Sequence, residues 1–97
     1  MAAQNQEALS TLRAKLSSLS EDEWRILEMV EQSYSIHVEN MYAELWMGPA
    51  YISDVLRVLE RDGLIKIDRG YNSLLEDIRE LLRTSGNIKL RDVLKAK

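Results

Sequence analysis

Polar and charged side chains recur at helical spacing between Pro49 and Arg61. With successive residues 100° apart, an apolar stripe forms one side of this segment, made of Ile52, Val55, Leu56 and Leu59. The side chains that point directly away from the stripe are those of Ala50, Asp54, Arg57 and Arg61, flanked by Tyr51 and Ser53. Arginine donates paired hydrogen bonds to guanine, hydroxyls bind phosphate or base, and a methyl group contacts thymine. This face has the chemistry to read nucleic acid.

Individual roles follow from residue type. Arg57 is suited to guanine, Ser53 or Tyr51 to a phosphate or base, and Ala50 to a thymine methyl. Asp54 is able to accept from a cytosine amino group but repels phosphate. The alternative is a solvated face on which Asp54, Arg57 and Arg61 only pair with one another at i+3 and i+4 spacing.

The segment that carries this face has helix signals at both ends. Pro49 suits the first helical position, and Asp62-Gly63 is a stop. A helix from Pro49 to Arg61 is about 20 Å long and fits a major groove about 12 Å wide. Leu64 to Asp68 then predicts a strand, and Arg69-Gly70 a turn.

The hairpin after this helix is predicted to be short. Ser73-Leu74-Leu75-Glu76 matches a capping box, so a helix is expected only three residues beyond Gly70. That leaves at most one or two residues of return strand, around Tyr71 and Asn72. Arg69, with Lys66 and Tyr71, would enter a minor groove or touch phosphate from the tip. The alternative is an ordinary surface arginine.

Two more helices precede the polar face. Ser20-Glu21-Asp22-Glu23 is a capping box, so a helix begins at Glu21. A further helix carries Val38, Met41, Tyr42 and Leu45 and ends near Gly48, with Met41, Tyr42, Trp46 and Met47 expected in the core. This order predicts a mainly α chain with a small β element: a winged helix-turn-helix with a reduced wing and flanking helices.

Leucines also form a narrow seam near the N-terminus, on a helix expected from about Gln6 to Ser18. The seam consists of Leu9, Leu12, Leu16 and Leu19. It would pack on its own domain or form a dimer interface, since small DNA readers are commonly dimers. We therefore expect one domain over residues 1–97, with an N-terminal dimerisation helix at 1–19, a winged-helix core at 20–72 and C-terminal helices at 73–97.

Composition narrows the class of protein. The 97 residues include 45% hydrophobic and 30% charged residues, as in an ordinary globular domain, and no apolar run approaches a membrane span. The start of the chain lacks the features of a secretion signal, and there is no cysteine. The expectations are a cytoplasmic protein with no membrane association.

No nucleophile–base pair, phosphate loop or metal-ligand set is recognisable, which predicts a non-enzyme without cofactor or metal. His37 is expected to be a partly buried residue at a helix start.

Charge is unevenly distributed along the chain. Residues 1–48 carry three Lys/Arg against eight Asp/Glu, whereas residues 49–97 carry ten against eight. The more basic half contains the predicted DNA-reading helix, although the electrostatic attraction that it exerts on phosphates is expected to be weak.

With these residues laid out, the segment from Ile52 to Ile65 resembles the recognition helix and first wing strand of the MarR and PadR families of winged-helix regulators, including their small archaeal relatives. The shared ending is Leu59-Glu60-Arg61-Asp62-Gly63-Leu64-Ile65. The resemblance covers about residues 20–72. It implies a homodimer on a palindromic site, read at the positions of Tyr51, Ser53, Asp54 and Arg57. Asp54 and the short wing depart from the family pattern.

The sequence thus predicts a sequence-specific double-stranded DNA-binding protein, a homodimeric transcriptional regulator that uses Pro49 to Arg61 with help from the wing. One alternative is a centromere-binding, DNA-coating adaptor of a plasmid-partition system, which would recruit a protein partner. An alternative of another class is a winged-helix protein-interaction module, favoured by the acidic half and Asp54. A further alternative is a small-molecule effector pocket between the N-terminal helices, but no residue pattern indicates its ligand.

Overall fold

The structure is a computed structural model that describes residues 2–95, with side chains from Gln6 onward. The described chain contains six helices and three strands. The helices are α1 (Ala2–Leu16), α2 (Glu21–Ser33), α3 (Val38–Glu44), α4 (Pro49–Arg61), α5 (Glu76–Thr84) and α6 (Leu90–Lys95). The strands are β1 (Ile36–His37), β2 (Ile65–Asp68) and β3 (Tyr71–Leu74).

These elements fall into two compact units. One unit, Ser20–Leu75, contains α2, α3, α4 and an antiparallel sheet of strand order β1-β3-β2. The other consists of Met1–Leu19 and Glu76–Lys97 and contains α1, α5 and α6. Three helices followed by a hairpin, with a short strand pairing onto it, make the fold a winged helix, as the order of sequence signals predicted.

The capping box of α2 is present as predicted. The Glu23 amide donates to Ser20 Oγ at 3.2 Å, and the Ser20 amide donates to Glu23 Oε1 at 2.8 Å. The two bonds satisfy amides that a helix start otherwise leaves without partners. The helix buries four apolar side chains, those of Trp24, Ile26, Leu27 and Val30.

Strand β1 has no counterpart in the sequence prediction. Its two residues pair with β3, with Ile36 opposite Asn72 and His37 opposite Tyr71. A two-residue strand leaves no alternating pattern to detect. Before it, Tyr34 adopts φ 63° and ψ −57°, and the Ser35 amide donates to the Ser33 carbonyl at 2.6 Å. This is a γ-turn with a strained central residue.

Helix α4 has the predicted bounds. Pro49 occupies the first turn, Gly48 is the N-cap, and the buried side chains are those of Ile52, Val55, Leu56 and Leu59. At its end, the Leu64 amide donates to the Leu59 carbonyl at 3.0 Å across Gly63, whose φ is 77°. Glycine adopts this positive φ without steric cost, and the resulting turn directs the chain into β2.

The prediction that the return strand of the wing has at most one or two residues was wrong. Strand β3 is a full return strand of four residues, pairing from Asp68 opposite Tyr71 to Ile65 opposite Leu74. Helix α5 begins at Glu76, so Ser73 lies in a strand and the proposed capping box does not form. Leu74 is buried, and the Leu75 amide donates to the Leu64 carbonyl. Sheet pairing and burial of Leu74 override the local capping pattern.

The second unit is entirely helical in its described residues. Helix α1 begins earlier and ends earlier than predicted, and it packs on α5 and α6. Arg13 Nε of α1 donates to the Val93 carbonyl of α6 at 3.1 Å. On α5, a hydrogen bond from exposed Arg83 lowers the pKa of the Glu80 carboxyl below its usual value.

Two leucines of the N-terminal seam are buried within one chain. Leu12 is 4% exposed and Leu16 is 0% exposed, whereas Leu9 and Leu19 are partly exposed. This burial favours intrachain packing, the alternative that the same spacing allowed. A dimer interface on this seam stays a prediction, and it would depend on the partly exposed Leu9 and Leu19, because Leu12 and Leu16 are buried within one chain.

Candidate nucleic-acid interface

Helix α4 presents most of the predicted reading residues to solvent. Pro49, Ala50 and Tyr51 are exposed at its start. The side chains of Asp54, Arg57 and Arg61 follow, each about three-quarters exposed. They lie opposite the buried stripe because that stripe anchors α4 to the rest of its unit. The helix thus has an open polar face about three turns long.

Ser53 differs from its neighbours because it is only partly exposed. Its Oγ lies 2.5 Å from the Tyr42 hydroxyl of α3, a hydrogen bond in which either oxygen is able to donate. The hydroxyl that the sequence assigned to DNA thus also connects the two helices of the helix-turn-helix. Tyr42, which the sequence placed in the core, joins the candidate site through this contact.

The charged groups on α4 are only weakly paired. Arg57 Nη1 lies 4.0 Å from Asp54 Oδ1, and Arg61 Nε lies 3.4 Å from Asp62 Oδ1. Exposed pairs of this kind contribute about 0 to 1 kcal/mol, so they restrain the arginines little. Arg57 and Arg61 therefore remain available to a ligand.

The wing ends in a two-residue turn at Arg69 and Gly70. Their φ angles are 53° and 84°, both positive, as a tight hairpin turn of the I′ type requires. Arg69 is exposed, and so are Lys66 on β2 and Tyr71 at the start of β3. The three predicted wing residues thus surround one hairpin tip. An arginine in the left-handed region is uncommon, since asparagine and glycine are favoured there.

His37 lies against the wing turn, next to Gly70 and Tyr71. Its Nδ1 accepts from the Glu39 amide at 3.2 Å and caps α3, as expected for a histidine at a helix start. A Cβ added to Gly70 would lie 2.6 Å from His37 Nε2, and the Tyr71 ring packs edge-on at 4.9 Å. The histidine thereby connects the start of α3 to the wing.

An open cavity of about 150 Å³ lies between α3, α4 and the wing. Its apolar lining includes Val38, Leu56 and Ile67. Its polar lining includes Tyr42, Ser53, Arg57 and Asn72. This cavity was not predictable from sequence patterns, because its lining comes from four separate elements.

Asn72 is the buried polar residue of the winged-helix core. Its side-chain amide donates to the carbonyls of Ile36 and Gly70, each at 3.2 Å, which fixes β1 and the wing turn around β3. Its Oδ1 has no hydrogen-bond partner within the described chain. A buried acceptor left unpaired costs about 1 to 3 kcal/mol of stability.

Trp46 corrects another expectation. It was placed in the core, but it is fully exposed in the connection between α3 and α4, because α3 ends at Glu44. Leu45 is already in extended backbone, which breaks the helical spacing that the core assignment assumed. An exposed tryptophan beside the start of α4 is an apolar contact point next to the polar face.

The two structural units differ in their balance of charged residues. The winged-helix unit, residues 20–75, carries five Lys/Arg against eleven Asp/Glu, whereas residues 1–19 and 76–97 together carry eight against five. The positive excess in the second half of the sequence thus belongs largely to α5, α6 and the residues after them. The basic groups of α4 and the wing act locally, within an acidic unit.

Comparison with known proteins identifies the fold. No protein-family model and no curated protein sequence matches the chain. A crystal structure described as ligand-free NadR is similar, with a TM-score of 0.61 at 18% sequence identity. The match covers 97% of this chain and 73% of NadR. At that identity the likeness establishes the shared winged-helix fold.

Within residues 2–95, no helix combines the length and apolar character of a membrane span. The same residues contain no group of three or more His, Asp or Glu side chains placed to hold a metal ion.

Proposed function

We propose that this protein is a sequence-specific double-stranded DNA-binding protein acting as a transcriptional regulator. The observation that carries the proposal is the geometry of the winged-helix unit, which exposes Arg57 and Arg61 on α4 and Arg69 at the wing tip. Recognition helices of this fold lie in the major groove, and adjoining arms or wings reach the backbone or minor groove.

Within this proposal, α4 reads bases and the wing positions the protein. Arg57 contacts guanine, Ala50 contacts a thymine methyl, and Tyr51 contacts phosphate or base. Arg69 and Lys66 bind backbone phosphates, with Tyr71 packed beside them. The unfavourable backbone of Arg69 supports a role for its side chain, because asparagine or glycine would relieve the strain.

The proposed active form is a homodimer on a palindromic site, which doubles the contacts of one recognition helix. Its interface would use surface other than Leu12 and Leu16, since both are buried within one chain. Light scattering of the purified chain tests this step separately from DNA binding. A monomeric mass both free and DNA-bound would reject the dimer.

The direct test is fluorescence anisotropy with duplexes that flank the gene, against a scrambled duplex at about 50 and 200 mM salt. A sequence reader binds the flanking duplex selectively. Arg57→Ala should weaken that binding by about 1 to 3 kcal/mol and relax specificity, because it removes a base contact. Equal binding to both duplexes that disappears at higher salt would instead indicate DNA coating, as in a partition adaptor. Binding to neither would reject the proposal.

A protein-interaction module is the second candidate, favoured by the acidic excess of residues 20–75 and the exposed Trp46. A protein partner would use Trp46 as an apolar anchor. The matched pair Trp46→Ala and Arg57→Ala separates the candidates. Loss of DNA binding in Arg57→Ala alone favours DNA reading, whereas an interaction module has no DNA binding to lose.

A further inference from the structure

An aromatic and acidic surface extends from α3 into the connection before α4. Trp46 is fully exposed, and the carboxylates of Glu39 and Glu44 on α3 are exposed as well. Neither carboxylate has an ion-pair partner among the residues that the structure describes. These three side chains form the Trp46 surface. Tryptophan is enriched at the centres of protein interfaces, where its ring removes a large apolar area from water.

The charge around the Trp46 surface restricts the chemistry of its partner. Residues 26–56, from within α2 to within α4, contain five Asp/Glu and no Lys/Arg. Carboxylates here repel a phosphate backbone, whereas they attract an ammonium or guanidinium group, which also binds the face of an indole ring. The partner must therefore carry a cation together with an apolar group that packs on Trp46.

The C-terminal helix of the same chain has this chemistry. Residues 89–97 contain four Lys/Arg against one Asp/Glu. Helix α6 buries Leu90 and Val93 but leaves Leu94 38% exposed, next to the exposed Lys95. Leu94 and Lys95 form the α6 face, which combines an apolar group with a cation.

We propose that the Trp46 surface of one copy binds the α6 face of a second copy. Leu94 packs on the indole ring of Trp46, and the Lys95 ammonium pairs with the Glu44 carboxylate. Both surfaces stay exposed within one chain, so the contact forms between chains. Because the two surfaces differ, each bound copy keeps one of them free, and further copies add in a row.

The contact is expected to be weak. A few side chains cover less than the roughly 1,200 Å² that a stable interface buries, so we expect a dissociation constant on the order of 100 µM. On DNA, the contact would join copies bound at adjoining sites and make their binding cooperative. That consequence rests on the proposed function. The contact itself does not, because it is measured without DNA.

Sedimentation velocity of the full-length chain without DNA measures the association. The average sedimentation coefficient should rise between about 10 and 200 µM protein at about 50 mM salt, and less at about 300 mM, because salt screens exposed charges. Trp46 reports the contact directly, since the other tryptophan, Trp24, is buried. Quenching of Trp46 fluorescence by acrylamide should decrease over the same range of protein concentration.

Charge reversal identifies the two surfaces. Glu44→Lys and Lys95→Glu should each weaken association about tenfold. An equimolar mixture of the two variants should restore it, because one retains an intact α6 face and the other an intact Trp46 surface. Lys66→Glu makes the same charge change on the exposed part of β2 and should leave association unchanged. Trp46→Ala should weaken association about tenfold through the loss of apolar contact.

The outcomes that would overturn the proposal are distinct. No association up to about 200 µM protein at low salt would reject the second copy and leave the Trp46 surface to a cationic segment of another protein. Association that survives both charge reversals, or that leaves Trp46 open to the quencher, would place the interface elsewhere. A variant mixture that stays dissociated would contradict the pairing. Association in a protein that binds no duplex would reject the DNA function and leave this contact intact.

Discussion

Tyr34 occupies backbone geometry that an L-residue adopts only at a cost. Its φ of 63° with ψ of −57° forms the centre of a γ-turn between α2 and β1. Such strain costs about 1 to 3 kcal/mol, while glycine loses about 0.5 to 1 kcal/mol through its larger unfolded-state entropy. We predict that Tyr34→Gly raises the free energy of unfolding by about 1 kcal/mol in urea denaturation.

Gln32→Gly is the matched control, because it introduces the same glycine two residues earlier, inside α2. It should lower the free energy of unfolding by about 1 kcal/mol. If both variants lose stability equally, the turn carries no strain that a glycine is able to relieve.

The Ser53 and Tyr42 side chains belong to the candidate interface and also connect α4 to α3. Because their hydroxyls bond to each other in a partly buried position, Ser53→Ala and Tyr42→Phe should each cost about 1 kcal/mol of stability. The double variant should lower the free energy of unfolding by less than the sum of the two single effects, since the second change removes a group that has already lost its partner. Strict additivity in thermal or urea denaturation would contradict the bond.

At the scale of the element, the wing turn depends on Gly70. A Cβ there would lie 2.6 Å from His37 Nε2, and the residue's φ of 84° disfavours any side chain. We predict that Gly70→Ala lowers the free energy of unfolding by about 1 to 3 kcal/mol, because clash and backbone strain act together. Urea denaturation measures the change.

Replacing His37 separates the steric clash from the backbone strain in Gly70→Ala. Serine keeps a cap for α3 but removes the imidazole ring that meets the added Cβ. The double variant His37→Ser with Gly70→Ala should therefore lose about 1 kcal/mol less than the separate effects predict. If the two effects simply add, backbone strain alone accounts for the glycine.

Some elements were predictable because their signals are local. Helix α4 has Pro49 at its start, Gly63 after its end and an uninterrupted stripe between them, and α2 has a complete capping box. Only the first half of strand β3 was predicted, because Ser73 to Glu76 also fits a capping box, and the choice depends on pairing with β2 and on burial of Leu74. Non-local pairing of this kind overrides local propensity.

The site shows the same division. The exposed face of α4 follows from periodicity, so the exposure of Ala50, Asp54, Arg57 and Arg61 was predicted from the sequence. The hydroxyl pair and the unpaired Oδ1 of Asn72 were not, because each depends on residues far apart in sequence. Trp46 was misplaced since its exposure depends on where α3 ends.

At the scale of the whole molecule, charge is separated between the two units. Residues 20–75 have an acidic excess, whereas the remaining segments have a basic one. DNA affinity through α4 and the wing would thus come from a few well-placed groups, not from a broad basic surface. Selectivity for base sequence should then be large relative to non-specific attraction.

The salt dependence of DNA binding tests this separation. If Arg57 reads a base while Arg61, Lys66 and Arg69 bind phosphates, each recognition unit releases about three counterions. The slope of log K against log salt should then be about −3 per unit, and about −6 for a dimer on two half-sites. Arg69→Ala should make the slope less steep by about one. Arg83→Ala, on α5, should leave it unchanged. A slope near −6 per unit that Arg83→Ala reduces would show that DNA also contacts α5.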